Sequence, residues 1–244
     1  MANPIMNLEE RNAEQERVVY SDQVMTVNGT LQITACMGLI LILAAGFVWN
    51  KFAIGHTDMG MMLTSIGGIV GFITALIISF ARVTVLVPLY AACEGLLLGG
   101  LSSIFEASYP GIVAQATIGT FAAFFSMLIL YRTGLISCTE KFRSVIFIST
   151  ASVVVIYIVN FIGHFFGYAV PVINTSSNAG ILFSLVVVAI AALNLIIDFD
   201  FVEKGVQRMY PKKYEWYGAF GLMVTLVWLY VEILKLLAKL NSRR

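Results

Sequence analysis

The chain has 244 residues, of which 59% are hydrophobic and 12% charged, with a net charge of +1 and a mean hydropathy of +0.88. Soluble domains hold nearer half apolar and a quarter charged residues, so this composition predicts an integral membrane protein without a separate soluble domain. A near-neutral balance, with no basic arm and no interleaving of aromatic and basic residues, excludes a nucleic-acid partner and leaves the lipid bilayer as the expected one.

Residues 1–28 begin with an acidic stretch containing Glu9, Glu10, Glu14 and Glu16. That is the reverse of a cleaved leader's basic start and apolar middle, and it predicts a solvated cytoplasmic segment. Residues 29–240 hold the predicted seven-helix transmembrane domain. A hydrocarbon core of roughly 30 Å needs about 20 apolar residues as helix. Seven runs fit, at 31–49, 61–80, 83–105, 112–131, 145–166, 180–199 and 217–240. The runs are continuous rather than alternating, which favours helices over barrel strands. The predicted fold class is therefore all-α, a polytopic membrane bundle. Residues 241–244 form a short basic tail. Punctuation falls at Pro110 and Gly111, at Pro171 with Asn174 to Gly180, and at Pro211.

Orientation follows from Lys and Arg. Arg11, Arg17, Arg82, Arg132, Lys141, Arg143, Lys204, Arg208, Lys212 and Lys213 fall on one side, against Lys51 in the opposite loops. The positive-inside rule places the first side, and the N-terminus, in the cytoplasm. Lys235, Lys239, Arg243 and Arg244 then lie outside if all seven runs span, a conflict with the rule: either the earlier bias outweighs the tail or one of the last two runs does not fully cross, and seven complete spans is the favoured reading. Two stripes of small residues, Gly67, Gly71, Ala75, Ser79 and Ala91, Gly95, Gly99, Ser103, predict close helix packing and say nothing of a substrate. Cys36, Cys93 and Cys138 lack metal spacing and are expected to be small core residues without a disulfide.

A charge inside hydrocarbon costs about 2.5–3.5 kcal/mol on insertion scales, so acids there face a cavity or a partner. Ser184, Ala191, Asn194 and Asp198 share one face of the sixth run; Gly221, Thr225, Trp228, Glu232 and Lys235 share one face of the seventh. Two such faces on consecutive antiparallel helices are expected to meet. The bland alternative has Asp198, Asp200 and Glu203 starting a loop, with Glu232 paired locally to Lys235. Arg82 either snorkels to the interface or caps Asp198. Glu94 is the most deeply embedded acid. His164, one turn from Asn160, is expected to be a packing residue.

The segments Asn194-Leu-Ile-Ile-Asp198-Phe-Asp200-Phe-Val-Glu203, Pro211-Lys-Lys-Tyr-Glu215-Trp216-Tyr217 and Trp228-Leu-Tyr-Val-Glu232 resemble the bacterial branch of the Bax inhibitor (transmembrane Bax inhibitor motif) family. Tyr90-Ala-Ala-Cys-Glu94-Gly and Pro110-Gly-Ile-Val-Ala-Gln115 add to that likeness. The resemblance implies a seven-helix protein of a prokaryotic plasma membrane, some relatives being pH-sensitive calcium leaks. It implies a gating pair of acids, Asp198 and Glu232, with Arg82 as latch and Glu94, Asn194 and Asp200 as supporting polar residues. Glu232 stands where the characterised leaks have Asp, and the connection between the two acids is longer here.

The expectation is a pair that shares one proton near neutral pH and opens when it is lost. Calcium would be held transiently by Asp198 and Glu232, with no resident cofactor. The alternative is a non-transporting regulator that binds a membrane protease or secretion complex. No His-Glu-x-x-His or Gly-x-Ser-x-Gly pattern is present, so no enzyme is expected.

Overall fold

The computed structural model describes residues 24–167, 173 and 175–243. Glu9, Glu10, Arg11, Glu14, Glu16, Arg17, Pro171, Asn174 and Arg244 lie outside the described residues. Seven helices long and apolar enough to cross a membrane follow one another: α1 (Val27–Ala53), α2 (Thr57–Ala81), α3 (Val87–Ser108), α4 (Ile112–Arg132), α5 (Glu140–Phe165), α6 (Asn178–Gln207) and α7 (Tyr214–Asn241). No strand occurs among the described residues. Where no water can satisfy backbone N–H and C=O groups, an apolar run must bond within itself, and the helix is the form that does so.

The ends are set by local chemistry. Thr26, Thr139 and Ser177 cap α1, α5 and α6 with side-chain oxygens that accept from Gly29, Phe142 and Gly180 N–H, satisfying donors that the first helical turn leaves open. Arg82 closes α2 in the left-handed region at φ 59°. A 3-10 turn, Thr84–Leu86, leads to α3, which carries a proline in its first turn. At the expected Pro110-Gly111 break, Gly111 takes φ 85°. The Glu106 carboxylate there accepts from the N–H of Gly111 at 2.6 Å and of Val113 at 3.1 Å.

The helices α3, α6 and α7 are the most enclosed; α1, α2, α4 and α5 surround them. The N-terminal sector, α1 with α2 and α3, packs through glycine. A Cβ at Gly67 would stand 2.6 Å from the Cys93 carbonyl on α3, and one at Gly95 or Gly99 would run into the α1 backbone at Leu41 or Ala45. The two small-residue stripes thus bring α2 onto α3 and α3 onto α1. The helix α7 reaches α1, α3, α4 and α6, whereas α5 packs chiefly on α6.

The starts of α1 and α7 are tied together. Met25 N–H donates to the Tyr210 carbonyl at 2.7 Å. The buried Glu215 carboxylate accepts from Thr26 N–H at 2.9 Å and Thr26 Oγ1 at 2.8 Å.

Two expectations need correction. The sixth helix does not stop at 199 but continues to Gln207, so Asp198, Asp200 and Glu203 are helical and begin no loop. Cys36 is not a core residue. It is exposed on α1, while Cys93 is buried and Cys138 half-buried, all three as free thiols.

Candidate functional site

The predicted polar faces of α6 and α7 do meet. Ser184, Ala191, Asn194 and Asp198 are all buried, as are Gly221, Thr225 and Glu232. Two contacts fix their register: Lys239 Nζ donates to Ser184 Oγ at 2.8 Å, and the Thr225 side chain interacts with the Asp198 carboxylate.

Asp198 is 1% exposed. Its Oδ2 is the one buried side-chain N or O atom without a hydrogen-bond partner among the described residues. A charge on a carboxylate enclosed in this way calls for a donor, a cation or water at that oxygen. Glu232 is equally buried, yet its partners are complete. Tyr157 OH on α5 donates to Oε2 at 2.9 Å, and Lys235 Nζ donates to Oε1 at 3.0 Å while lying over the Tyr157 ring.

The structure does not bring the two acids together. Asp198 is level with Thr225, and Glu232 follows Thr225 by seven residues, which is about 10 Å further along the helix axis. The shared-proton pair expected from the sequence thus gives way to two separate carboxylates at different depths. The bland alternative held for Glu232, which does pair with Lys235, and failed for Asp198.

Arg82 is exposed at the end of α2. It forms no ion pair with Asp198 among those described. The guanidinium that reaches an α6 acid is Arg143, at the start of α5. It is 4% exposed and makes a short, buried ion pair with Asp200. Lys204 Nζ meets the same Asp200 oxygen at 2.8 Å. Beside them Tyr131 OH donates to Glu203 at 2.7 Å, and Arg143 Nε donates to Cys138 Sγ at 3.3 Å. This cluster walls an open cleft of about 480 Å³, lined also by Arg132, Thr133 and Ser137. Burial pushes the Cys138 thiol up to about 11, against the lowering effect of the Arg143 contact.

Asn194 donates to Thr150 Oγ1 on α5 at 3.0 Å and to the Ile190 carbonyl at 2.8 Å. Glu94 is buried in the N-terminal sector, with Tyr90 as its side-chain partner and the α2 backbone at Gly71 beside it. Among the described residues, the side chains that bond to the α6–α7 polar faces are Thr150, Tyr157 and Lys239, and not Glu94 or His164. Among those residues no three His, Cys, Asp or Glu side chains are grouped so as to hold a metal ion.

Sequence reasoning missed three residues of α5. Arg143, Thr150 and Tyr157 each reach an α6 or α7 polar group, and they recur every seven residues. That spacing was the available signal. A comparison with protein families matches the Bax inhibitor 1 like model over residues 3–242. No curated protein and no solved structure matches the chain.

Proposed function

Because the chain belongs to the Bax inhibitor 1 like family, we propose that this multi-pass membrane protein is a passive cation leak, permeable to calcium and controlled by the proton on Asp198. The observation that carries this reading is the enclosed Asp198 carboxylate with its open Oδ2. When Asp198 is neutral, the α6–α7 interface stays closed around it. When it is ionised, the open oxygen draws in water or a cation, and calcium favours carboxylate and carbonyl oxygens.

Glu232 acts as a second, separate carboxylate whose counter-charge, Lys235, reaches water. Calcium is cargo in this scheme, and the protein performs no catalysis. We place the N-terminus in the cytoplasm on the strength of the Lys and Arg bias between the two sides, and the protein in the plasma membrane of a prokaryote on its resemblance to the bacterial branch of the family.

The test is calcium flux in proteoliposomes scanned over pH. Asp198→Asn is expected to remove the pH response and cut the open-state flux about tenfold, Glu232→Gln to reduce the flux less. Flux and pH response equal to wild type in both variants would dispose of the reading.

A further inference from the structure

We infer that the cation route is the seam between α5 and the α6–α7 pair, with Ile146 and Ile197 as its dry stop. The inference rests on the leak reading for the identity of the cargo. For the seam itself it rests on four observations.

First, Arg143, Thr150, Tyr157 and His164 recur at seven-residue spacing, which keeps them on one stripe of α5. Three of the four meet polar groups at successive depths: Arg143 meets Asp200, Thr150 meets Asn194 and Tyr157 meets Glu232. In lipid a helix needs no such ladder to stay in place; polar groups at every second turn line something or hold something.

Second, the apolar residues between them close the seam. Ile146 and Ile197 are buried against each other between the Arg143 and Thr150 layers, and Val153 is buried between Thr150 and Tyr157. Polar layers alternate with dry ones, as in a channel shut by apolar constrictions.

Third, open space adjoins one end of the seam: the cleft beside Asp200 and Glu203 lies next to the start of α5.

Fourth, the lysines paired with Asp200 and Glu232 reach water while their acids do not. The side chains of Lys204 and Lys235 are 29% and 40% exposed, against 9% and 2% for their acids. A lysine that withdraws to water leaves an oxygen site that an inorganic cation can occupy.

The experiment uses full-length protein in proteoliposomes, with Cys36, Cys93 and Cys138 replaced by Ala and one new cysteine placed on α5. The probe is a charged, membrane-impermeant thiosulfonate. Thr150→Cys is expected to react about tenfold faster than Ile148→Cys or Val155→Cys, which point away from the seam, because only a hydrated thiol ionises. Tyr157→Cys reports the next polar layer should Thr150→Cys not insert. Ile146→Ser is expected to raise both that reaction rate and the calcium flux, about threefold or more, by wetting the stop.

Thiols at 150 and 157 no more reactive than those at 148 and 155, beside a wild type that leaks, overturn the seam as the route. Reactive thiols in a protein that passes no cation overturn the leak reading and leave the hydrated seam standing. An Ile146→Ser variant that loses stability without gaining flux shows the layer to be packing alone, and overturns the stop.

Discussion

Two sectors of this bundle are held together by different means. In the α1–α2–α3 sector, glycine and alanine let backbones touch, and the embedded acid Glu94 is tucked against Tyr90 and the α2 backbone. Where α5 meets α6 and α7, an ion pair and hydrogen bonds between side chains join the helices, beside the apolar cluster that holds α6 to α7. Close backbone packing has one good geometry and resists displacement. Long polar side chains can exchange partners, with each other or with water, while the helices stay intact. On the leak reading proposed above, the first kind of contact would form the frame and the second the joint that opens.

The comparison breaks or sharpens under four perturbations. The largest effect is expected from Arg143→Met, which leaves the buried Asp200 with Lys204 and the Tyr131 hydroxyl. Loss of one partner of a buried pair costs about 3–5 kcal/mol, to be read as a lowered unfolding midpoint in detergent. An unchanged midpoint would mean that the α5 joint does not depend on the pair. Next comes Gly99→Val, whose branched side chain would enter the α1 backbone at Ala45. It should lose about 1–3 kcal/mol by overpacking, whereas Gly46→Ala, with open space around it, should be neutral in the same assay. Equal tolerance at both positions would deny the frame its tight contact.

Smaller still is Thr150→Val, which removes the Asn194 bond from the middle of the joint. Interhelical bonds of this kind are worth about 0.6 kcal/mol, so stability should scarcely move while flux changes. The least disruptive probe is chemical. With its thiol near 11, Cys138 should alkylate slowly at pH 8, and the rate should climb about tenfold per pH unit until the thiol is ionised. Rapid alkylation at pH 8 would show the Arg143 cluster to be open to water.

Much of the architecture was legible because hydrocarbon imposes one rule, an internally bonded backbone, on every span. The seven runs, the Pro110-Gly111 break, the two small-residue stripes and the facing polar sides of α6 and α7 all follow from spacing alone. The site was less legible because partnership depends on depth. Asp198 and Glu232 both lie on polar faces, but only the helix register shows that Thr225 is level with Asp198 and that Glu232 sits farther along. Arg82 and Arg143 both stand near ends of spans and read alike as interface charges. Packing distinguishes them, leaving Arg82 on the surface and burying Arg143 against Asp200. Long continuous apolar runs also hid how far α6 extends, since Asp198, Asp200 and Glu203 look like a loop until their partners are known.

The Glu215 clamp has a consequence for biogenesis. Thr26 precedes the first span to leave the ribosome, yet the carboxylate that holds it arrives 189 residues later. Throughout insertion, the leading span must wait with its opening amide unsecured, and only the last span to be synthesised can fasten it. A nascent chain cut short before residue 215 should therefore remain open to proteases at its front end, however well its earlier helices have entered the lipid.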